Sequence, residues 1–421
     1  MDGRVEWSPP VEPWRLERRR RRRRDVRRRR LVVGTLTGLV VASVTFALVS
    51  STGGKVRAAV AGAGGGPVEP DEPKVQKFDI VATGDLLIHA PVWQRAYRNG
   101  NGRPDFRPMF AAIRPIVRGA ALALCHVETP MGAGGESGYP LFNAPPQLAN
   151  AIAWTGWDAC STASNHAVDK SQYGIETTAL ALDNAGVRHT GTFRSRREAR
   201  RTLILRVRGL RIAFLSYAYG TNGVQIPQRW SVNLISRDKV KRDARRARKR
   251  GADFVIANFH WGTEYSHQVN AQQRTLARYL LRHETVDLIV GQHAHVVQTI
   301  RRIAGRFVVY GEGNLLSNQT STCCPAEAQD GLIAVIHMRA VGRKATVTGV
   351  DYVPTRVRHP DYVVVPAGLR YRQLVRQGER LSPEAQAMLQ SYRGTVAHVG
   401  TTRFVKPFPR AGAIRKALAE P

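Results

Sequence analysis

The pattern that most constrains the fold begins at Lys77, where short apolar, β-branched runs start to alternate with stretches of helical periodicity. Strands that alternate with helices are typical of βαβ units and a parallel sheet. The sequence therefore predicts an α/β domain with a largely parallel core and one antiparallel pair, 203–207 with 211–216. The predicted helices cover 171–184, 237–250 and 270–283. The predicted strands cover 78–85, 120–128, 157–163, 203–207, 211–216, 253–260, 286–290, 297–303, 306–311, 331–338 and 344–352.

Polar side chains stand where several of these predicted strands end. Because the carboxyl ends of parallel strands meet at one edge of a sheet, we expect these side chains to lie close together. If the chain stays extended after Val290, His293 and His295 point the same way. Each residue alone has an ordinary explanation as a cap, a loop acid or a buried imidazole, but together they predict one site. The strand-end residues are Asp85, Glu128, Asn165, His166, His260, His293 and His295.

The chemistry of this set is that of a metal site. Carboxylate, amide and imidazole groups are the ligands that suit Zn, Mn or Fe. An acid shared by two ions gives a two-metal site with ions about 3.5–4 Å apart, which activates water and stabilises the oxygens of a tetrahedral or phosphoryl transition state. The predicted cofactors are therefore two divalent metal ions, Mn, Fe or Zn.

The N-terminal segment differs in composition from the rest of the chain. Residues 1–30 carry thirteen arginines against five acids and predict a cytoplasmic tail. Residues 31–50 carry no charge, and at ~1.5 Å per residue they predict a transmembrane helix whose N-terminus is cytoplasmic. A cleaved signal peptide is the alternative, since the small residues 58–61 resemble a cleavage site. Residues 51–76, rich in Gly and Ala, predict a flexible linker.

The remaining composition bears on partners and compartment. The formal net charge of +32 favours anionic partners. A membrane anchor confines the arginine tract to the membrane surface, so no nucleic-acid partner is expected. Cys125 and Cys160 lie in apolar strand-like runs, which predicts buried, unreactive thiols. For the adjacent Cys323 and Cys324, in a polar loop, a redox-active or bridged pair stays open.

The order and spacing of six short motifs resemble the CapA, or poly-gamma-glutamate capsule-synthesis, proteins, whose fold is similar to the calcineurin-like metallophosphoesterases. The resemblance covers about residues 77–320. It implies a four-layer αββα sandwich with a two-metal site, held at the outer side of the cytoplasmic membrane. We expect a CapA-like domain over 77–357 and a C-terminal extension over 358–421. The motifs are 84–85, 127–130, 164–169, 259–265, 291–295 and 310–314.

The resemblance also implies roles for individual residues. His166 resembles the general acid beside the metals, and Asp169 is expected to orient it. Metallophosphoesterases place a His two residues after the first Asp, whereas here the nearest is His89, a further candidate ligand. Glu128 stands where they have a bridging Asp, and His126 stands where CapA proteins usually have Asn. The implied metal ligands are Asp85, Glu128, Asn165, His260, His293 and His295.

Three hypotheses of function follow. The first is a membrane-anchored extracytoplasmic metallohydrolase or acyl-transfer enzyme acting in synthesis, release or attachment of an anionic capsule polymer such as poly-gamma-glutamate. Other membrane subunits of capsule synthesis are then candidate partners. The second is a phosphoesterase acting on a wall phosphate polymer or nucleotide. The third is a non-catalytic scaffold that binds a polyanion.

Several residues outside the ligand set have two interpretations. Trp261 and the pair Glu264-Tyr265 either line a substrate cleft or pack in the core. Asn314 and the loop to Cys324 are expected at the rim of the site. The basic helix 237–250 is either a solvated face or a binding surface for an anionic polymer.

Overall fold

The computed structural model describes residues 75–133 and 135–419, which form a mixed α/β fold. The prediction of an α/β domain is thus confirmed. The strands are β1 (Val75–Leu86), β2 (Leu122–Val127), β3 (Ala159–Ser161), β4 (Arg188–Thr190), β5 (Leu203–Val207), β6 (Leu210–Ala218), β7 (Phe254–His260), β8 (Leu288–Gln292), β9 (Ile300–Ile303), β10 (Arg306–Val309), β11 (Asn314–Leu316), β12 (Asp330–Val341), β13 (Lys344–Arg358), β14 (Val363–Pro366) and β15 (Val405–Pro407).

Helices connect most of the parallel strands. The predictions 171–184, 237–250 and 270–283 match the fourth, sixth and seventh helix to within one residue. The helices are α1 (Ala90–Asn99), α2 (Arg114–Gly119), α3 (Leu148–Thr155), α4 (Ser171–Ala185), α5 (Arg196–Ala199), α6 (Arg237–Lys249), α7 (Ala271–Arg282), α8 (Ala367–Arg376), α9 (Pro383–Val399) and α10 (Ala411–Ala419). Two 3-10 turns, Arg107–Phe110 and Ala326–Gln329, complete the elements.

The predicted tail 1–30, anchor 31–50 and nearly all of the linker 51–76 lie outside the described residues. Within residues 75–133 and 135–419, no helix has both the length and the apolar character needed to cross a membrane.

The first sheet has the strand order β14-β13-β12-β1-β2-β3-β4, with β11 beside β1 and β15 beside β13. Strands β1, β2, β3 and β4 run parallel, whereas β12 is antiparallel to both β1 and β13. The strands after residue 358 therefore extend this sheet, because β14 and β15 both pair with β13.

The second sheet has the order β5-β6-β7-β8-β10-β9. Its central strands β6, β7, β8 and β10 are parallel, and antiparallel strands close both edges. The pairing of β5 with β6 confirms the predicted antiparallel pair.

Each sheet is covered by helices on one face. Val92 of α1 and Ile152 of α3 pack with alternate residues of β1 and β2 in one apolar cluster. A second cluster joins Val240 of α6 and Leu280 of α7 to β6, β7 and β8. Contacts between β1 and β8 and between β10 and β13 join the two sheets. The carboxyl ends of both sets of parallel strands are thereby brought near one another.

Two glycines allow the chain to close in around these strand ends. A Cβ atom at Gly84 would lie 1.9 Å from the carbonyl oxygen of Gly313, and one at Gly291 would lie 2.2 Å from that of Tyr310. Any larger residue would push the 310–313 segment away from both sheets. Asp85 and His293, which follow these glycines closely, depend on this approach for their positions.

The prediction of free thiols at Cys125 and Cys160 is wrong, because these residues form a disulfide. They are register partners on the neighbouring parallel strands β2 and β3, and their Cα atoms are 4.4 Å apart. That spacing lies within the range that a disulfide spans. Cys323, which is exposed, and Cys324 are unbridged.

Candidate metal centre

The predicted site residues come from the strand ends of both sheets. Asp85 lies at the end of β1 and Glu128 directly follows β2, while His260 is the last residue of β7. All three side chains are buried, with exposed fractions of 0–1%. Burying two carboxylates beside imidazoles is costly unless a cation or a proton neutralises them.

Asp85 and Glu128 contact the same two imidazoles. Asp85 Oδ1 lies 3.8 Å from His260 Nδ1, and Asp85 Oδ2 lies 3.5 Å from His295 Nδ1. Glu128 Oε1 lies 3.8 Å from His260 Nε2 and also 3.8 Å from His295 Nε2. These separations are longer than hydrogen bonds, as expected for groups that surround a shared centre.

Four groups of three side chains have possible ligand atoms within 4.8 Å of one another. Glu128 and Asp85 each belong to two of them, as a carboxylate shared by two ions would. The groups are Asp85 with Glu128 and His295, Glu128 with His260 and His293, Asp85 with His126 and His260, and Glu264 with His293 and His295.

A test of fit comes from buried atoms that lack partners. Among the described residues, both carboxylate oxygens of Glu128 are buried without a hydrogen bond, and so is Asp85 Oδ1. The imidazole atoms His260 Nδ1 and His293 Nδ1 are in the same state. Buried polar groups are rarely left unpaired, and one accepted reason for a cluster of them is an ion. The donor set therefore fits divalent cations.

Burial keeps most of these imidazoles neutral. It lowers the pKa of His260 well below its ordinary value and that of His293 to about 3. Burial also lowers the pKa of His295, but the Glu128 and Asp85 carboxylates outweigh it and raise the value to about 9. Burial and the Asp85 carboxylate raise the pKa of Glu128 well above its ordinary value.

His293 and His295 reach the site from a turn and not from an extended strand. Strand β8 ends at Gln292, and the two histidines have φ values of 95° and 55°. The expectation of an extended segment is therefore wrong, although both imidazoles still enter the site. Non-glycine residues with positive φ cost free energy of folding, and they concentrate at functional sites. The backbone amide of His293 donates to Asp85 Oδ2 at 3.2 Å, which helps to hold the turn.

Asn165 and His166 follow β3 and lie beside this cluster. His260 Nε2 lies 2.8 Å from Asn165 Oδ1. His166 Nδ1 lies 2.8 Å from Asp169 Oδ2, which also accepts the amide of Phe142. The structure thus makes the predicted contact between His166 and Asp169, and their catalytic roles stay predictions.

The structure does not bring His89 into the ligand groups. His89 precedes α1, and the amide of Asn318 donates to its Nδ1 at 3.2 Å. Burial lowers the pKa of this imidazole to about 4. Because β1 ends at Leu86, the intervening residues carry His89 past the strand edge.

His126 was missed as a candidate ligand. It is the register partner of Asp85 on β2, and its Nε2 lies 3.7 Å from Asp85 Oδ1 without a hydrogen bond within the described chain. The signal was present in the sequence, because side chains alternate along a strand. Cys125 and Val127 point into the helix-covered core, so His126 points the other way, as Asp85 does.

Three other residues lie in or near the site, and their surroundings differ from the expectation or settle an open alternative. Asn314 is buried behind the site and not at its rim, with Oδ1 3.0 Å from His295 Nδ1. Trp261 is fully buried, and its Nε1 donates to the Tyr310 carbonyl, so it is a packing residue. Tyr219 was not predicted, and its ring lies 4.4 Å from that of His293.

The fold and the site together define the class of this protein. It is an α/β protein in which carboxylates and imidazoles at the strand ends of two mixed sheets form a candidate metal centre. The chain belongs to the bacterial capsule synthesis protein family PGA_cap, whose model matches residues 79–319. The expected resemblance to the CapA family is thus confirmed.

Relatives agree with this family. The chain is 23% identical over 313 residues to the capsule biosynthesis protein CapA of Bacillus anthracis, covering 72% of this chain and 73% of that protein. It is 26% identical to the PGA biosynthesis protein CapA of Bacillus subtilis (strain 168), covering 45% of this chain and 50% of that protein. A probable polyglutamine synthesis accessory protein of Mycobacterium tuberculosis is 24% identical, with coverages of 51% and 60%.

Solved structures of low sequence identity also align with this chain. The calcineurin-like phosphoesterase YfkN of Bacillus subtilis aligns with 14% identity over 67% of this chain and 91% of that chain, at a TM-score of 0.43. A 5'-nucleotidase precursor of Thermus thermophilus aligns with 12% identity over 76% and 59%, at a TM-score of 0.40. At these scores the alignments carry no argument about function.

Proposed function

We propose that this protein is a membrane-anchored, extracytoplasmic CapA-type protein with a two-metal site. It acts in synthesis, release or attachment of an anionic capsule polymer such as poly-gamma-glutamate. The observation that carries the proposal is the cluster of buried, unpaired ligand atoms around Glu128. Membership of a capsule synthesis family supports a capsule polymer as the substrate.

The two ions would share Glu128. One would be held by Asp85, Glu128 and His295, and the other by Glu128, His260 and His293, with Asn165 alongside. Helices on the outer face of each sheet support the four-layer sandwich that the CapA resemblance implies. When bound, divalent ions supply Lewis-acid polarisation and a clamp for developing negative charge on oxygen.

His166 is the candidate proton carrier. Asp169 accepts from Nδ1, which leaves Nε2 to give or take a proton at the site. Nε2 lies 3.5 Å from Asn222 Nδ2, so Asn222 marks the side on which a leaving group would sit. Asp169 fixes the ring orientation and the tautomer.

Two observations support a position outside the cytoplasm. The Cys125–Cys160 disulfide is of a kind that persists in oxidising compartments. The uncharged run 31–50, preceded by arginines, has the sequence features of an anchor with a cytoplasmic N-terminus.

Metal analysis of the full chain in detergent tests the proposal. We expect two divalent ions per wild-type chain after dialysis against micromolar Mn or Zn, and a loss of metal in Glu128→Ala. The matched control is Glu379→Ala, which removes an exposed acid outside the ligand groups. It should keep the wild-type metal content. A wild-type chain that retains no metal overturns the proposal.

Catalytic activity is tested by measuring the length and the attachment of the polymer. Chelator and Glu128→Ala should each abolish any change that the protein makes in the length or attachment of poly-gamma-glutamate. If metal-free variants retain capsule function in cells, the site is structural and the polyanion scaffold is the correct interpretation.

The same geometry favours a second candidate, a phosphoesterase acting on a wall phosphate polymer or nucleotide. The favouring observation is the His166–Asp169 pair beside a predicted two-metal clamp, which suits phosphoryl transfer. It predicts turnover of aryl phosphate esters with manganese. A negative result across a panel of such esters removes it.

A further inference from the structure

A second concave site lies on the edge of the second sheet, between α7 and β9. It encloses about 690 Å³ and is lined by five arginines. Arg274, Arg278 and Arg282 project from one face of α7, because residues four apart align on a helix. Arg301 and Arg302 come from β9. We call this site the arginine cavity.

Helix α7 is firmly placed in the fold. Asn270 and Gln273 form a capping box at its start, and Leu276, Leu280 and Leu281 are buried in the second sheet's core. The arginines therefore project from a fixed scaffold and not from a loop.

The described lining of the cavity is rich in positive charge. None of the described residues that line the cavity is Asp or Glu. Within the part of the chain that the structure describes, Arg278, Arg282 and Arg301 make no ion pair, and Arg302 lies 4.4 Å from the Phe404 ring. Arg248 nearby, in contrast, pairs with Asp287.

Guanidinium groups closer than the Debye length of ~8 Å repel one another, and an anion relieves that repulsion. The composition of the cavity therefore favours a ligand with several negative charges.

A short segment of the chain connects the candidate metal centre to the arginine cavity. Glu264 Oε1 lies 4.0 Å from His293 Nε2, and His267, three residues later, lines the cavity. Consecutive Cα atoms are ~3.8 Å apart, so the Cα atoms of these two residues are at most ~11 Å apart. His267 Nδ1 also lies 2.7 Å from the carbonyl oxygen of Val297, two residues beyond His295. These contacts place the lining of the cavity close to the candidate metal centre, within the span of an extended polymer.

We propose that the arginine cavity binds the carboxylates of an acidic polyamide chain while a neighbouring unit of that chain lies at the metal centre. This inference rests on the proposed function. The arginines of α7 recur about every ~6 Å along the helix axis. That spacing offers one guanidinium to each singly charged unit of a chain, which fits a polycarboxylate better than a compact multivalent anion.

Binding to the full chain in detergent tests the cavity directly. The probe is a fluorescently labelled decamer of γ-linked glutamate, and fluorescence anisotropy gives its Kd. We expect Arg278→Glu with Arg301→Glu to weaken binding at least about tenfold, since each reversal replaces an attraction with a repulsion. The milder pair Arg278→Gln with Arg301→Gln should weaken binding in the same direction, and it tests the cavity even if the reversed variant fails to fold.

The matched control is Arg196→Glu with Arg197→Glu, two exposed arginines of α5 outside the cavity. It changes the net charge equally and should shift Kd by less than about twofold if the cavity is the site. Equal losses in both reversed pairs overturn the proposal, because they would show diffuse attraction. An unchanged Kd in the cavity variants overturns it as well.

Two further measurements separate this inference from the proposed function and from another ligand. Asp85→Ala should lose metal and weaken decamer binding by less than the cavity variants do, and the cavity variants should keep their metal. Cavity-dependent binding by a wild-type chain without metal would defeat the two-metal proposal and leave the cavity assignment intact. If inorganic polyphosphate of equal charge binds the cavity more than about tenfold tighter, the carboxylate assignment is overturned.

Discussion

The imidazole of His126 is held from two sides. Its Nδ1 lies 2.7 Å from Ser161 Oγ, and its ring stacks on that of His260 with centroids 4.8 Å apart. Nε2 is thereby directed at Asp85 Oδ1. Burial lowers the pKa of His126 to about 4, so the ring is neutral at physiological pH and keeps a lone pair for a cation.

Replacing His126 by Asn, the residue that CapA proteins usually have there, tests whether this imidazole takes part in metal binding. We expect His126→Asn to weaken metal affinity by about tenfold or more, because the shorter amide side chain no longer places a nitrogen donor beside Asp85. Competition with a chromophoric chelator measures the affinity. His189→Asn, on β4 and outside the ligand groups, is the matched control. Equal affinities in both variants would show that His126 only packs.

At the scale of elements, the disulfide ties together two strands that lead into the site. Cys125 and Cys160 are 35 residues apart in sequence, and β2 leads directly to Glu128 while β3 leads to Asn165. Closing a loop of this length removes conformational freedom from the unfolded chain.

We expect Cys125→Ala with Cys160→Ala to lower the free energy of unfolding by about 3–4 kcal/mol on the loop-entropy model. Urea denaturation followed by circular dichroism measures the change. Cys323→Ala with Cys324→Ala, which removes the two unbridged cysteines, should leave the midpoint unaltered. A double variant at 125 and 160 as stable as the wild type would contradict a structural role for the bridge.

A histidine on β12 links three strands of the first sheet. His337 Nδ1 lies 2.8 Å from Asp79 on β1, and its Nε2 lies 3.3 Å from Asp351 on β13, which also pairs with Arg410. Hydrogen bonds to Asp351 and Asp79 raise the pKa of His337 to about 9. Protonated His337 is therefore favoured in the folded state.

The folded pKa of His337 lies above its ordinary value of 6.5, so this stability is present below pH 6.5 and lost as the pH rises to about 9. Since 38% of the side chain is exposed, we expect the loss to be only about 1 kcal/mol. Urea unfolding of wild type and His337→Gln across this pH range measures it. The variant should show a flatter dependence, and identical slopes would refute the assignment.

The elements with strong local patterns were predictable, and those fixed by distant pairing were not. Strands β1, β2, β7 and β8 are apolar runs with a polar residue at or next to their ends, a pattern that the sequence itself marks. Strands β14 and β15 have four and three residues, too short for a periodic pattern, and both form by pairing with β13.

The same distinction applies to the site. That Asp85 and Glu128 converge follows from their places at the ends of neighbouring parallel strands, whereas His260 joins them because the second sheet packs against the first. The disulfide depends on which strands become neighbours, and the burial of Asn314 and Trp261 depends on how loops fold over the sheets. Neither is encoded in a short stretch of sequence.

At the scale of the whole molecule, the net charge influences how fast the protein associates with anionic polymers. The chain carries a formal net charge of +32, so attraction for polyanions extends well beyond any single site. We expect the association rate of a glutamate decamer to fall steeply as ionic strength rises from about 0.05 M to about 0.5 M. The dissociation rate should change much less, because it reports short-range contacts. Stopped-flow anisotropy separates the two, and a salt-independent association rate would contradict this picture.

The candidate ligands are divided between the two sheets, with Asp85 and Glu128 on the first and His260, His293 and His295 on the second. Cations bound among them would therefore join the two sheets. Part of the free energy of metal binding would then stabilise the packing of one sheet against the other. The supply of divalent ions would then affect the lifetime of the protein as well as its chemistry.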